Sequence, residues 1–259
     1  MSTRSPPNNQ LLASLSPRDS ETLRPHLRLV ELTERAVLIE AGKPVERVYF
    51  PHSGIISLVA NFSNGQSVDV AMIGRDSVFG ASAALGGRIS RTTAIVRLPG
   101  TASVLDAAHL HVAEDESARL REILLQHEEA LFAQVQQSAA CNAVHGLQAR
   151  LSRHLLRLRD LCGDDTLHAT QELLAEMLGV QRNSVSIIAN AFRQAKLIRY
   201  SRGAIKIVNP EGLRAAACEC RRVVELHYQR LSQSEPKVPA HFGSQAGAHE
   251  SPRFAADSY

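Results

Sequence analysis

Thr170–Ile198 reads TQELLAEMLGVQRNSVSIIANAFRQAKLI. Leu174, Met177 and Leu178 recur at helical spacing, and Val185, Ile188 and Phe192 repeat the pattern after a break. The break is Gly179-Val180, where a glycine reaches positive φ without steric cost and lets the chain turn sharply between two helices. Ala175, four residues earlier, leaves room for the helices to cross closely. Leu174, Ala175, Leu178, Gly179, Val180, Val185 and Ile188 each carry the residue type that a helix-turn-helix needs. An ordinary helical hairpin in a core is the alternative. The density of matches favours a DNA-reading motif.

The flanks extend this unit. Leu147–Leu161 forms a basic amphipathic helix, with Arg150, Arg153, Arg157 and Arg159 around Leu151, Leu155 and Leu158. Ile198–Val208 reads as a β-hairpin with Ser201-Arg202-Gly203 at its turn, a wing. Asn209-Pro210 starts another helix, as cap and first position, expected to run to about Leu231. Residues 147–231 hold 14 Lys and Arg against 8 Asp and Glu, whereas residues 1–146 hold 13 against 15. Positive charge therefore collects around the motif, as phosphate binding requires.

Upstream the texture differs. Residues 11–30 predict a short helix capped at Ser16-Pro17. Short β-rich runs follow at Val37–Ile39, Val48–Phe50, Ile55–Asn61, Val68–Met72, Ala94–Leu98 and Ala102–Leu105. Asn64-Gly65 between two of them is a strong hairpin signal. Closely spaced short strands predict a small antiparallel barrel or roll. From about Leu110 the pattern is helical for some 35 residues. Leu120, Leu124, His127, Leu131, Val135, Ser138 and Asn142 follow three- and four-residue steps, a seam suited to the same helix of a second copy, with Ile123 and Phe132 turned to the roll. Small residues at Ser138-Ala139-Ala140 permit close approach, and His145-Gly146 marks a hinge.

The expected fold class is α+β. A polar N-terminus (1–10) and tail (232–259) are expected to be disordered, around a roll (11–110), a dimerisation helix (111–146) and a winged helix-turn-helix with an extra helix (147–231). No run approaches 18 apolar residues, and MSTRSPPNNQ lacks the apolar core of a signal peptide. Cys141, Cys162, Cys218 and Cys220 show no disulfide framework, which fits a reducing cytoplasm. No nucleophile triad, P-loop or dinucleotide glycine motif is present, so no enzymatic activity is expected.

A roll, a long helix and then a winged helix-turn-helix resembles the Crp/Fnr family of bacterial transcription regulators. The run TQELLAEMLGVQRNSV matches that family's motif without a gap, and VYFPHSGIISLV resembles its strand–glycine–strand element, with Gly54 as the shared glycine. Ala139-Ala140-Cys141-Asn142 and Ala217-Cys218-Glu219-Cys220 resemble a subgroup common in alpha-proteobacteria. The resemblance implies a cytoplasmic homodimer on palindromic double-stranded DNA, with RNA polymerase as protein partner. In the second helix, about Gln181–Ala195, Arg182 is then the first candidate for a guanine edge and Asn183 for an adenine edge. Ser184 and Ser186 are candidates for phosphate, Arg199 and Arg202 for backbone contact from the wing, and Thr170 and Gln171 for the first helix's share of the interface. Asn183 stands where the best-known activators carry glutamate, and Ile187 where they carry arginine. Gln181 is a poor helix cap.

The effector segment departs from the family. Cyclic-nucleotide binders carry Gly-Glu there and an Arg-Ser or Arg-Thr pair some ten residues on. Here Gly80 is followed by Ala81 and Ser82. Counting back from Val96, Thr92 stands at the arginine position and Arg91 one residue off, and a one-residue slip on a strand reverses its face. Cyclic-nucleotide recognition is therefore not expected, although Arg88 and Arg91 remain candidates for another anion. No cofactor or metal is expected either: Cys218 and Cys220, two apart on one helix, would point in different directions, and His52, His109 and His111 would converge only by accident of folding. Two other readings remain open, a cyclic-nucleotide-dependent regulator and a ligand-binding module acting through a protein partner.

Overall fold

The structure, a computed structural model, describes residues 9–201 and 203–233, and the expectations for 1–8, Arg202 and 234–259 lie outside it. Asn9 opens the described chain and is fully buried. Its side-chain amide donates to the Pro51 and Ser77 carbonyls, and its Oδ1 caps helix α1 (Gln10–Ser14). Asn9 and Gln10, expected within a disordered N-terminus, are therefore ordered. Ser16 and Pro17 start α2 (Pro17–Leu23), with the Ser16 hydroxyl accepting from the Asp19 N–H. The single helix expected over 11–30 then fails. Arg24–His26 is a 3-10 turn, and the chain leaves it as strand β1 (Arg28–Leu32). β1 is held by antiparallel pairing of Arg28–Leu32 with Gly100–Val104, a partner some seventy residues away.

The remaining strands of the roll are β2 (Val37–Ile39), β3 (Arg47–Pro51), β4 (Ile55–Asn61) and β5 (Ser67–Ile73). After the short helix α3 (Ala81–Ala84) come β6 (Thr93–Leu98) and β7 (Gly100–Asp106). They form two antiparallel sheets, β1-β7-β3 and β2-β6-β4-β5. Gly65 takes φ +82 in the tight connection from β4 to β5, as the Asn-Gly pair predicts. The helical stretch is two helices. α4 (Ala107–Glu116) is followed at once by α5 (Ala118–Val144), because Ser117 is extended and its hydroxyl caps α5.

His145 and Gly146 are both extended, so α5 stops and α6 (Leu147–Cys162) starts afresh. A short strand β8 (Thr166–Leu167) leads to α7 (Gln171–Leu178), α8 (Arg182–Gln194) and the strands β9 (Ile198–Ser201) and β10 (Ala204–Ile207). The strands order as β8-β10-β9. Asn209 caps α9 (Pro210–Ala216) through the Gly212 N–H. The helix expected to reach Leu231 breaks over residues 217–219, and α10 (Cys220–Gln233) continues from there.

The winged unit is docked on the roll. α7 packs on β5, and Ile55, Met72 and Leu98 of the roll share one apolar core with α6, α7 and α8. Between the sheets' surface and α7, Arg97 of β6 is buried with its guanidinium on Asp69 (2.6 Å) and Glu176 (2.9 Å). Arg157 of α6 reaches Asp76 at 2.6 Å. α10 lies along α5, where Tyr228 packs edge-on to His127 and takes a hydrogen bond from Gln134. Gln134 also exchanges hydrogen bonds with the Met72 backbone, which satisfies the open edge of β5.

The docking surface holds a buried imidazole. His154 of α6 has no hydrogen-bond partner on either ring nitrogen among the described residues. Asp69 and Gln134 line the same small cavity. Burial, then the charges of Arg153, Arg150 and Arg97, push its pKa down to about 3. The folded value thus lies below that of the unfolded chain, so acid favours unfolding and stability falls as pH drops from about 6.5 towards 3. Between pH 7 and pH 5 urea titrations should show a loss of about 2 kcal/mol from this group. His154→Leu should keep only the part owed to His127, also held low by burial. An undiminished slope in that variant would assign the pH dependence elsewhere.

Candidate nucleic-acid interface

The two helices of the motif are built as their residues require. The Thr170 hydroxyl accepts from the Leu173 N–H and starts α7, a cap worth about 1 kcal/mol. Leu173, Leu174, Met177 and Leu178 are buried under it. Gly179 turns the chain at φ +64, and a Cβ there would lie 2.4 Å from Val68 Cγ2 of the roll. Glycine is therefore needed twice at this point, for the turn and for the close approach. Val185, Ala189 and Phe192 bury one face of α8. No side chain caps α8 at Gln181. The opposite face is open: Arg182, Asn183, Ile187 and Asn190 are exposed, Ile187 at 71%.

The expected contact residues divide on inspection. Arg182 projects from the first turn of α8 and makes an exposed pair with Glu172 at 3.6 Å. Such a pair is worth at most about 1 kcal/mol and gives way easily to a base edge. Asn183 stands beside it, exposed, and Ser184 is half-buried. Ser186 and Gln171 are engaged with each other instead: the Ser186 hydroxyl lies 2.6 Å from Gln171 Oε1 and 3.1 Å from the Arg182 carbonyl. Together they clamp the first turn of α7 to α8. Thr170 is likewise spent on its cap.

Arg199 is exposed on β9, directly across the wing from exposed Lys206 on β10. Like charges facing each other across a hairpin destabilise it, and a phosphate between them reverses that cost. Lys206 is a further candidate, and its alternation with buried Ile205 and Ile207 marks it as outward. Asn190 is another. It lies seven residues after Asn183, on the same helical face.

The expected effector residues differ in exposure. Gly80 takes φ +90 ahead of α3, and Ala81 is fully buried. The Ser82 N–H donates to Glu128 Oε1 of α5 at 3.1 Å, and burial pushes the Glu128 carboxyl up. The Ser82 N–H is thus already engaged by a carboxylate of the same chain. Thr92 is half-buried and Arg91 exposed. Arg88 instead borders a surface cleft of about 580 Å³ with Arg47, Glu46 and His111. His52, His109 and His111 do not converge: they contact Ser103, His26 and Glu114 respectively.

The seam expected on α5 faces its own chain. Leu120 and Leu124 are fully buried with α1, α2 and α4, and His127 lies under Tyr228. Leu131 and Val135 pack on the roll, and Ser138 lines the cavity beside His154. Asn142 alone of the seven is exposed. Phe132, expected on the roll, is 63% exposed. The register is corrected by α10 and the roll, which occupy the face the heptad count assigned to a partner.

Known proteins bear on this arrangement. Residues 149–216 match the Crp-like helix-turn-helix domain, and residues 29–113 match the cyclic nucleotide-binding domain. The chain is 27% identical over 192 residues to a global nitrogen regulator of Nostoc, covering 70% of this chain and 86% of that protein. It is 24% identical over 196 residues to the global nitrogen regulator of Synechococcus elongatus, covering 72% and 88%. Its fold superposes on FixK2 of Bradyrhizobium japonicum with a TM-score of 0.66 at 15% identity, covering 74% of this chain and 98% of that one. A roll of the cyclic-nucleotide-binding type, carried on a long helix into a winged helix-turn-helix with an open second helix, defines a DNA-binding transcription regulator. The chain belongs to the Crp/Fnr family of these regulators. Among the described residues no helix is long and apolar enough to cross a membrane.

Proposed function

We propose that the chain is a homodimeric cytoplasmic regulator that reads a palindromic site through α8, acts by binding rather than catalysis, and does so without recognising a cyclic nucleotide. The observation that carries the reading is the open face of α8, with Arg182 and Asn183 at its N-terminal end and Ile187 and Asn190 behind them. Arg182 reaches guanine O6 and N7, and Asn183 an adenine edge. Arg199 and Lys206 bracket a phosphate from the wing, and Ser184 adds a backbone contact. Two copies present two such helices to half-sites about 34 Å apart. The exposed stripe of α5 at Leu125, Phe132, Ala139 and Val144 supports pairing between copies. RNA polymerase is the protein partner that a regulator bound beside a promoter would meet. Ala81 and Glu128 support the loss of nucleotide recognition.

The test is a titration onto duplexes selected from a random pool. Arg182→Ala should cost about 1–3 kcal/mol on the selected site and relax one base position. Wild-type affinity should fall steeply with salt and stay unchanged at saturating cyclic AMP. Undiminished specific binding by the variant would remove α8 from the groove. A tenfold gain with the nucleotide would return it to the roll.

A further inference from the structure

The last turn of α5 meets the link between α9 and α10, and the meeting point is built from three thiols and an imidazole. Cys141 lies in that last turn, and His145, four residues on and on the same face, is the C-cap. Cys218 sits in the link after α9, and Cys220 is the first residue of α10. The helix break over residues 217–219 is what turns both cysteines to one side. The four ligand atoms all lie within 4.8 Å of one another. Cys141 Sγ and Cys218 Sγ are 3.6 Å apart, and Cys220 Sγ and His145 Nδ1 are 3.5 Å apart. All three thiols are buried. Tetrahedral zinc, with Zn–S of about 2.3 Å and Zn–N of about 2.0–2.1 Å, requires S···S edges of about 3.8 Å and S···N edges of about 3.5 Å. A disulfide requires about 2.05 Å.

The surroundings point the same way. His145 Nε2 lies 3.3 Å from Glu219 Oε1, which leaves Nδ1 free to face the sulfurs. That is the carboxylate–histidine arrangement that orients metal ligands. Gln137 Nε2 donates to Cys220 Sγ at 3.0 Å, a contact that a thiolate accepts better than a thiol. The charges of Arg150 and Arg153 act on Cys141, and Arg153 is buried with an Nε that has no hydrogen-bond partner among the described residues. Three thiolates, a neutral imidazole and Zn²⁺ leave one net negative charge, which these guanidiniums balance. A bound divalent cation deprotonates coordinating thiols outright.

We propose that Cys141, His145, Cys218 and Cys220 form a structural zinc site. The protein fills all four positions, so no open coordination site is left for catalysis. The site ties the end of α5, where the chain turns into α6, to the start of α10. It therefore sets the angle at which the winged unit leaves the long helix.

The experiment uses full-length protein purified under reducing conditions without chelator. Elemental analysis should find about one zinc per chain. Cys218→Ser and Cys220→Ser should each lower the zinc content at least tenfold, whereas Cys162→Ser, at the far end of α6, should leave it unchanged. Because a serine variant can fail to fold, the wild type is also exchanged into cobalt(II), where intense visible bands of a tetrahedral thiolate centre are expected. Absence of both zinc and that spectrum would overturn the proposal. So would a Cys141–Cys218 disulfide in freshly isolated chain, or equal zinc loss in Cys162→Ser. None of these readouts depends on DNA binding.

Discussion

Replacing Arg97 by alanine should lower the stability of the chain by about 3–5 kcal/mol, read as a fall in the urea midpoint. Arg97 is 4% exposed and Asp69 is 6% exposed, so neither is solvated. The guanidinium covers both Asp69 oxygens through Nε and one through Nη2, while Nη1 holds Glu176 on α7. Burial, with a smaller push from Glu176, raises the Asp69 carboxyl pKa, and Arg97 is the main group that opposes it, ahead of Ser57. Alanine leaves that carboxyl buried beside no cation, which is the expensive half of breaking a buried pair. Glu176→Gln removes the other end of the same bridge but should cost no more than about 1 kcal/mol. Glu176 is 32% exposed on its side chain, and Arg97 keeps Asp69. Equal losses in the two variants would place the cost in the contact between α7 and the roll instead. Neither variant touches the open face of α8, so the bases preferred should not change in either.

The motif was legible because its evidence is local. Leu174, Gly179 and Val185 report on the same short stretch, and the Asn209-Pro210 cap and the Asn64-Gly65 turn are decided within four residues. The strand Arg28–Leu32 was not legible, because it is an edge strand with Leu29 71% exposed and its register is set by β7. Arg28, Leu29 and Glu31 give it no buried alternation to detect. Nor was the cysteine cluster, in which Cys141 and Cys218 are 77 positions apart and the break before α10 decides where Cys218 points. The interface residues fell between these cases. Arg182 and Asn183 were legible as positions on a helix, but the pairing of Ser186 with Gln171 depends on how α7 and α8 cross. In the effector segment the sequence shows Ala81 after Gly80, but not what lies against it. The carboxylate that stands at Ser82 comes from Glu128, forty-six residues on.

The face of α5 that the chain leaves open predicts the largest effect on DNA binding. Ala118, Glu122, Leu125, Glu129, Phe132, Gln136, Ala139 and Ala143 are all exposed and follow alternating steps of four and three. Leu125, Phe132 and Val144 are 47%, 63% and 77% exposed, an apolar seam with no cover from α10 or the roll. A second copy of α5 covers it best, because a two-fold axis near Phe132 stacks like on like and Ala139 lets the backbones close. Phe132→Glu would set two carboxylates against each other beside Glu129 of both copies. The variant should therefore sediment as a monomer. Losing the second half-site as an intramolecular event should lower affinity for a full palindrome by about 10²–10⁴-fold, with affinity for a single half-site unchanged. Leu124→Ala is the contrast. Leu124 is fully buried within its own chain, so it should cost about 2–5 kcal/mol of stability and leave the folded fraction dimeric. A dimeric Phe132→Glu beside a monomeric Leu124→Ala would move the pairing to the opposite face, and α10 would then have to leave His127 for the dimer to form.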